Sequence, residues 1–262
     1  MTPPVSAVLI CRNEEKVIGR CLNSLTWAQE ILVVDGCSTD RTAEICLDKS
    51  AKWADRIKFL ERRWTGFRDQ RNYCLDQAKN DWIFVIDADE ECTPELQSKI
   101  LGFFKDGGQP PSRYYKVKRV EYFLGKPIRH GIWNPSYQDR FFHRAGVRYV
   151  NDIHEYPKFP SPAQDLHEPI LHWPDFNAEK FLDKMNRYTS IEARDRLKQG
   201  QKTNLIHILF AGPAMVYKNY VYYGAYKDGI HGLIISVLEG ISRAVRHIKM
   251  WQYSREKDSS RA

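Results

Sequence analysis

The sequence predicts an α/β fold, a parallel sheet covered by helices on both faces, followed by a helical and partly amphipathic tail. Three observations carry this prediction. Over roughly the first 105 residues, short apolar runs alternate with helix-like segments. The runs are near-continuously apolar, as strands buried on both faces require. Polar clusters follow the runs, at Arg12–Glu15, Asp35–Ser38 and Asp87–Glu90, and open parallel sheets bind ligands at that carboxyl rim.

The elements follow in order. Val5–Cys11 is the first apolar run, and a helix is expected over residues 14–25. A β-branched run over 31–35 ends at Gly36, and a helix over 40–49 has Ser38 or Thr39 available as its cap. Residues 57–60 form a weaker strand, 67–78 a helix and 82–87 a fourth strand. Thr93 then caps a helix whose first position is Pro94. Residues 114–156 change to short β segments with turn residues, which reads as a mixed extension of the same sheet. A proline-rich loop leads into a helix over 177–198, with Phe181, Leu182, Met185, Tyr188 and Ile191 on one face. Domain boundaries are expected at 1–175 and 176–262.

The tail is distinct. Residues 205–226 carry only Lys218 as a formal charge, and Gly212 and Pro213 are expected to interrupt the run. From Ile230 an apolar stripe through Leu233, Ile234, Val237, Leu238, Ile241, Val245 and Ile248 recurs at helical spacing, with Arg243, Arg246, His247 and Lys249 off it. Such a helix either lies in a membrane interface or packs on the protein's own core. A full span is disfavoured by Pro213 and by the length of the uncharged stretch.

At 262 residues the chain can bury a sizeable core. Its 42% hydrophobic and 28% charged content excludes a disordered chain. The net charge of +7 favours anionic partners such as nucleotide phosphates or an acidic membrane surface. Nucleic acid is not expected, since no nucleic-acid-binding motif or Lys/Arg-rich run occurs. Six cysteines without a CxxC pair imply neither a disulfide scaffold nor a zinc site. The start at Met1 carries no signal-peptide pattern, so the expected location is cytoplasmic, with peripheral placement on the inner face of the membrane as the tail suggests.

Asp87 and Asp89 flank Ala88 directly after a buried run. Two carboxylates so placed suit a hard divalent cation, Mg²⁺ or Mn²⁺, that neutralises a departing diphosphate. Asp35, ending another strand, can accept hydrogen bonds from a nucleobase or ribose. The motifs around residues 7–15, 33–40 and 87–90 together resemble the family 2 inverting glycosyltransferases, most nearly the lipopolysaccharide-core β-glucosyltransferase branch. Gln70, Arg71 and Asn72 resemble the segment before that branch's acidic motif. Residues 133–142 and 153–155 resemble its acceptor-side motifs.

The resemblance implies a GT-A fold, a Rossmann-like nucleotide-binding sheet with a mixed β extension. It implies a metal-dependent hexosyl transfer from a nucleotide-sugar donor, with UDP as carrier, to a hydroxyl of a glycan or lipid-linked acceptor such as lipopolysaccharide core. Asn13, Glu14, Asp35, Arg71 and Asp87 would bind the nucleotide sugar, and Asp89 with Asp87 the metal. Trp133, Gln138 and Arg140 fall on the acceptor side. Glu155 falls where a catalytic base is expected, although His154–Glu155 replaces the family's usual Glu-Asp pair. His154 could instead be that base, and His154 or His172 could contact the metal. Two rival readings fit these residues less well. A Rossmann-type oxidoreductase lacks its GxGxxG at the first strand–helix junction. A non-catalytic membrane-surface protein on the same fold would not need Asp35, Asp87, Asp89 and Glu155 together.

Overall fold

A computed structural model describes residues 2–151, 155–174 and 176–259. The chain divides into two compact units, residues 1–120 with 136–173 and residues 121–135 with 174–262.

The first unit is built on β1 (Val5–Cys11), β2 (Glu30–Asp35), β3 (Ile57–Glu61) and β4 (Trp82–Val85), all parallel in the order β3-β2-β1-β4. Every residue of β1, β2 and β4 is buried, which explains their unbroken apolar runs. Helices α1 (Ile18–Asn23), α2 (Thr42–Cys46) and α3 (Phe67–Gln77) connect them. The apolar side chains form two clusters, with Leu9, Val33 and Phe84 in one and Val8, Leu32 and Ile83 in the other, so alternate residues of each strand serve opposite layers.

Beyond β4 the sheet turns mixed, as expected. After β5 (Glu90–Cys92) and α4 (Pro94–Phe103) come β6 (Tyr114–Phe123), the short β7 (Lys126–Pro127), β8 (Ser136–His143), β9 (Arg148–Val150), β10 (Tyr156–Lys158) and β11 (Gln164–His172). The sheet continues from β4 through β8, β6 and β11 to β5, with β8 antiparallel to β4 and β5 antiparallel to β11. Thr93 caps α4 by accepting from the Leu96 amide, with Pro94 in the first turn.

Several boundaries differ from the sequence reading. The helix expected from residue 14 begins at Ile18, because Asn13 takes a left-handed φ of 58° and residues 13–15 are tied elsewhere. The amide of Glu14 donates to Thr42 Oγ1 and that of Glu15 to Asp40 Oδ2. Asp40, not Ser38 or Thr39, serves the start of α2, its Oδ1 accepting from the Thr42 amide. The fourth strand stops at Val85 rather than at residue 87, since the Asp87 amide turns aside to Glu90 Oε2. β6 to Phe123 and its partner β7 extend the sheet as expected, and residues 121–135 are grouped with the second unit.

The second unit adds α5 (Ala178–Lys198), α6 (Leu205–Tyr217) and α7 (Ile230–Ser259). Contrary to expectation, α6 runs through Pro213 unbroken, and a π-helical turn follows at Lys218–Tyr222. The α6 and α7 backbones meet closely. A Cβ on Gly240 would lie 2.5 Å from Val216 Cγ2 and 3.0 Å from the Gly212 carbonyl oxygen. The buried side of α7 carries Ile235, Ser236, Gly240, Arg246 and Met250. Of the expected stripe, Ile234 and Leu238 are half-buried against Phe123, Ile128 and Ile235 and Val245 is half-buried, whereas Ile230, Leu233, Val237, Ile241 and Ile248 are exposed.

Candidate active site

The carboxyl ends of β1, β2 and β4 bring three polar loops to one rim of the first unit. At the β2 end, Asp35 is buried, and its own loop engages its carboxylate. Its Oδ2 accepts from the Ser38 amide at 2.7 Å and its Oδ1 from the Ser38 hydroxyl at 2.5 Å. Asn13 works as a latch on this loop. Its amide donates to Ser38 Oγ and its Oδ1 accepts from the Thr39 amide. Glu14 lies beside it, half-buried.

At the β4 end, Asp87 sits between two guanidinium groups. Arg71 of α3 donates through Nη2 to Asp87 Oδ1 at 2.6 Å, and Arg140 of β8 through Nη2 to Asp87 Oδ2 at 2.5 Å. The same Arg140 Nη2 lies 2.6 Å from Oε1 of Glu90, a fully buried carboxylate. The Arg140 Nε–H is buried without a hydrogen-bond partner among the described residues. Burial alone would push the Asp87 carboxyl up, but the charges of Arg140 and Arg71 overcome it and hold the group well below the usual carboxylate range. Glu90 goes the other way. Burial raises it, and Arg140 only partly offsets that. Glu155 joins the cluster, its Oε1 lying 3.6 Å from Arg71 Nε. Tyr149 underlies Arg71, 5.6 Å from ring centroid to guanidinium, and burial pushes its hydroxyl up to about 12.

Asp89 faces a different neighbour. His172, the last residue of β11, places Nε2 3.0 Å from Asp89 Oδ2. The β11–β5 pairing sets this contact, with His172 opposite Glu90 and the Trp173 amide donating to the Asp89 carbonyl. A carboxylate and an imidazole that share a rim suit part of a divalent-cation site completed by phosphate oxygens and water. No cluster of three or more potential metal ligands occurs among the described residues. Asp87, read from the sequence as a second metal ligand, has both oxygens engaged by arginines. His154 lies outside the described residues.

The structure thus gathers Arg71, Asp87, Asp89, Glu155 and His172 with Arg140. Arg140, read from the sequence as an acceptor-side residue, is instead an ion-pair partner of Asp87. Gln138 is half-buried on β8 and donates to Ser136 Oγ. Trp133 belongs to the second unit, where its Nε1 donates to Glu239 and its ring meets Phe123 edge-on. Sequence reading did not single out Glu90 or Arg119, whose Nη1 lies 3.5 Å from Glu90 Oε1. The available signal was a charge placed within a strand, which burial makes costly unless it is paired.

The model of glycosyl transferase family 2 matches residues 6–156. An uncharacterized glycosyltransferase of Rickettsia bellii (strain RML369-C) is 28% identical over 266 residues, covering 97% of this chain and 88% of its own. The lipopolysaccharide core biosynthesis glycosyltransferase LpsC of Rhizobium meliloti (strain 1021) is 26% identical over 264 residues, covering 95% of this chain and 92% of its own. Among solved structures, S. aureus TarS 1-349 matches with a TM-score of 0.46 and 14% identity, covering 96% of this chain and 91% of that one.

Proposed function

Since the chain belongs to glycosyl transferase family 2, we propose that it is an inverting, metal-dependent transferase acting from a nucleotide-diphosphate sugar. The acceptor is a hydroxyl of a glycan or lipid-linked glycan, with lipopolysaccharide core as the leading class because LpsC is a relative over nearly the whole chain. UDP is the carrier that the family resemblance implies. The working location is the cytoplasmic face of an anionic membrane.

One observation carries the reading. Two arginines from separate elements converge on one carboxylate at the carboxyl rim, beside a second carboxylate paired with a histidine. Paired guanidiniums suit a diphosphate, whose charge grows as the sugar departs. Asp89 and His172 are the residues that would hold Mg²⁺ or Mn²⁺, which supplies further neutralisation of the diphosphate when bound.

In the transfer itself, the acceptor oxygen attacks the anomeric carbon. The bond from that carbon to the diphosphate oxygen breaks, and its electron pair leaves on the diphosphate. The Glu155 carboxylate takes the acceptor hydroxyl's proton. A donor diphosphate that draws Arg71 toward itself also frees Glu155 from its 3.6 Å contact with that residue. Asp35, at the end of β2, is placed to meet the nucleobase by exchanging its contacts with Ser38.

A thermal-shift screen of nucleotide sugars with and without Mn²⁺ tests the donor, and a shift confined to one nucleoside names the carrier. Glu155→Gln should keep that shift while transfer falls roughly 10²–10⁴-fold, the range a general base contributes. Turnover at the parent rate would place the base elsewhere.

A further inference from the structure

The second unit inverts the usual arrangement of an amphipathic helix. The inward side of α6 carries Gly212 and Met215, followed by Asn219, all buried. Asn219 is satisfied inside the unit, its Nδ2 donating to Ser236 and its Oδ1 accepting from the Ile132 amide. The outward side is largely apolar, with Leu205, Leu209, Ile206 at 65% exposure and Phe210 at 62%, and with His207 exposed among them. The exposure continues into the following turn, where Tyr222 is 75% exposed beside Tyr217 and Tyr226. On α7 the outward positions Ile230, Leu233, Val237 and Ile241 repeat the pattern. Isolated exposed apolar residues are ordinary, but a run of this extent marks a docking surface.

Charge identifies the occupant. Residues 202–255 contain seven lysines and arginines against two acids, Asp228 and Glu239. Both acids are engaged within the unit. Asp228 is buried, accepting from the Arg129 and His130 amides and pairing with His130 Nδ1 at 3.0 Å. Glu239 accepts from Trp133 Nε1. Arg246 pairs with Glu192 at 2.8 Å and Lys249 Nζ bonds Asn186, Thr189 and Ser190, so the exposed charge beside the apolar face comes from Lys218 and Lys227. Lys218 and Lys227 lie over the rings of Tyr223 and Tyr226, at 5.5 and 5.9 Å. Arg243 Nη2 meets the Met215 sulfur, and neighbouring arginines hold its pKa down after burial does.

Tyrosine and lysine around exposed aliphatics match the boundary between headgroups and acyl chains. A helix of 13 residues is about 20 Å long, short of the ~30 Å hydrocarbon core. No helix among the described residues is long and apolar enough to cross a membrane. The like charge of a second copy would oppose self-association through the same face.

We propose that α6, the turn through Tyr226 and the outward stripe of α7 seat this protein on an anionic lipid surface. The helices lie in the interface rather than spanning the bilayer. The inference rests on the membrane location proposed above and names the surface that would make the contact. It does not depend on the transfer chemistry, so its failure would remove that location and leave the proposed activity standing.

The test is co-sedimentation of the full chain with phosphatidylcholine vesicles, with and without phosphatidylglycerol, at low and high salt. The parent should bind the phosphatidylglycerol vesicles and release as salt rises. Ile206→Glu with Phe210→Glu should weaken binding by roughly a hundredfold or more, since two apolar anchors are lost. Lys218→Gln with Lys227→Gln should weaken it by about thirtyfold on anionic vesicles only, at ~1 kcal/mol per charge. All four positions are exposed, so circular dichroism and melting should match the parent. Equal binding to both vesicle types would overturn the anionic requirement. Absence of vesicle binding would overturn the proposal. If the parent is then a dimer that Ile206→Glu with Phe210→Glu makes monomeric, the occupant is a second copy.

Discussion

Asp87 and Asp89 stand on either side of one alanine, and their side chains are almost equally exposed, at 31% and 34%. Their surroundings are opposite. Asp87 faces α3 and β8, which each deliver an arginine to it. Asp89 faces β11, which delivers His172. Residues 88 and 89 form a turn after β4 has ended, so strand alternation does not hold the two carboxylates to one face and each meets a different neighbour. Exposure therefore does not set the chemistry of this pair. The partners do, with Asp87 bound into an arginine network and Asp89 paired with a histidine.

The largest expected effect tests the Asp89 half. Asp89→Ala should lower metal-dependent transfer by about a thousandfold, the scale of several kcal/mol of charge stabilisation, with the melting temperature unchanged. Full activity in that variant would remove the cation from this side. The next effect tests the Asp87 half and reads out in stability. Arg140→Ala leaves the fully buried Glu90 and one oxygen of Asp87 without their shared guanidinium. Removing one partner from a buried ion pair costs about 3–5 kcal/mol, so a melt roughly 10 °C lower is expected. A melt within a degree or two of the parent would mean that Arg119 and Arg71 carry the network alone.

This contrast between neighbouring acids was only half legible in the sequence. The apolar runs of β1, β2 and β4 report their own burial, and Thr93–Pro94 reports a helix start, because those signals are local. Asp35, Asp87 and Asp89 follow from them, as the polar residues that close each buried run. The place of Arg140 depends on β8 lying antiparallel against β4, a long-range pairing that no local pattern encodes. Glu90 shows the same limit, since its buried carboxylate depends on an arginine 50 residues away. In the second unit, the stripe of α7 was visible as apolar spacing, yet its Ile230, Leu233 and Val237 face outward. Periodicity locates a helix face without saying what covers it.

The smallest effect is the most specific to the network, because Asp87 and Glu90 share Arg140 and titrate in opposite senses. Asp87 is held below its ordinary value of 3.8 in the folded chain. The unfolded chain therefore takes up that proton first, and the stability Asp87 contributes is fully present above about pH 5 and lost as pH falls through 3.8 and below. The melting gap between the parent and Asp87→Asn should accordingly narrow on acidification. Glu90 is raised above its ordinary 4.5, so the folded chain holds the proton longer, and stability falls as pH rises from 4.5 toward the raised value. Relative to Glu90→Gln, the parent should thus lose stability across that rise. Melting curves of the three proteins in a buffer series from about pH 3 to 7 resolve the two signs. If both gaps move in the same direction, the guanidinium of Arg140 is not shared as the geometry shows, and Asp87 differs from Asp89 only in its neighbour on α3.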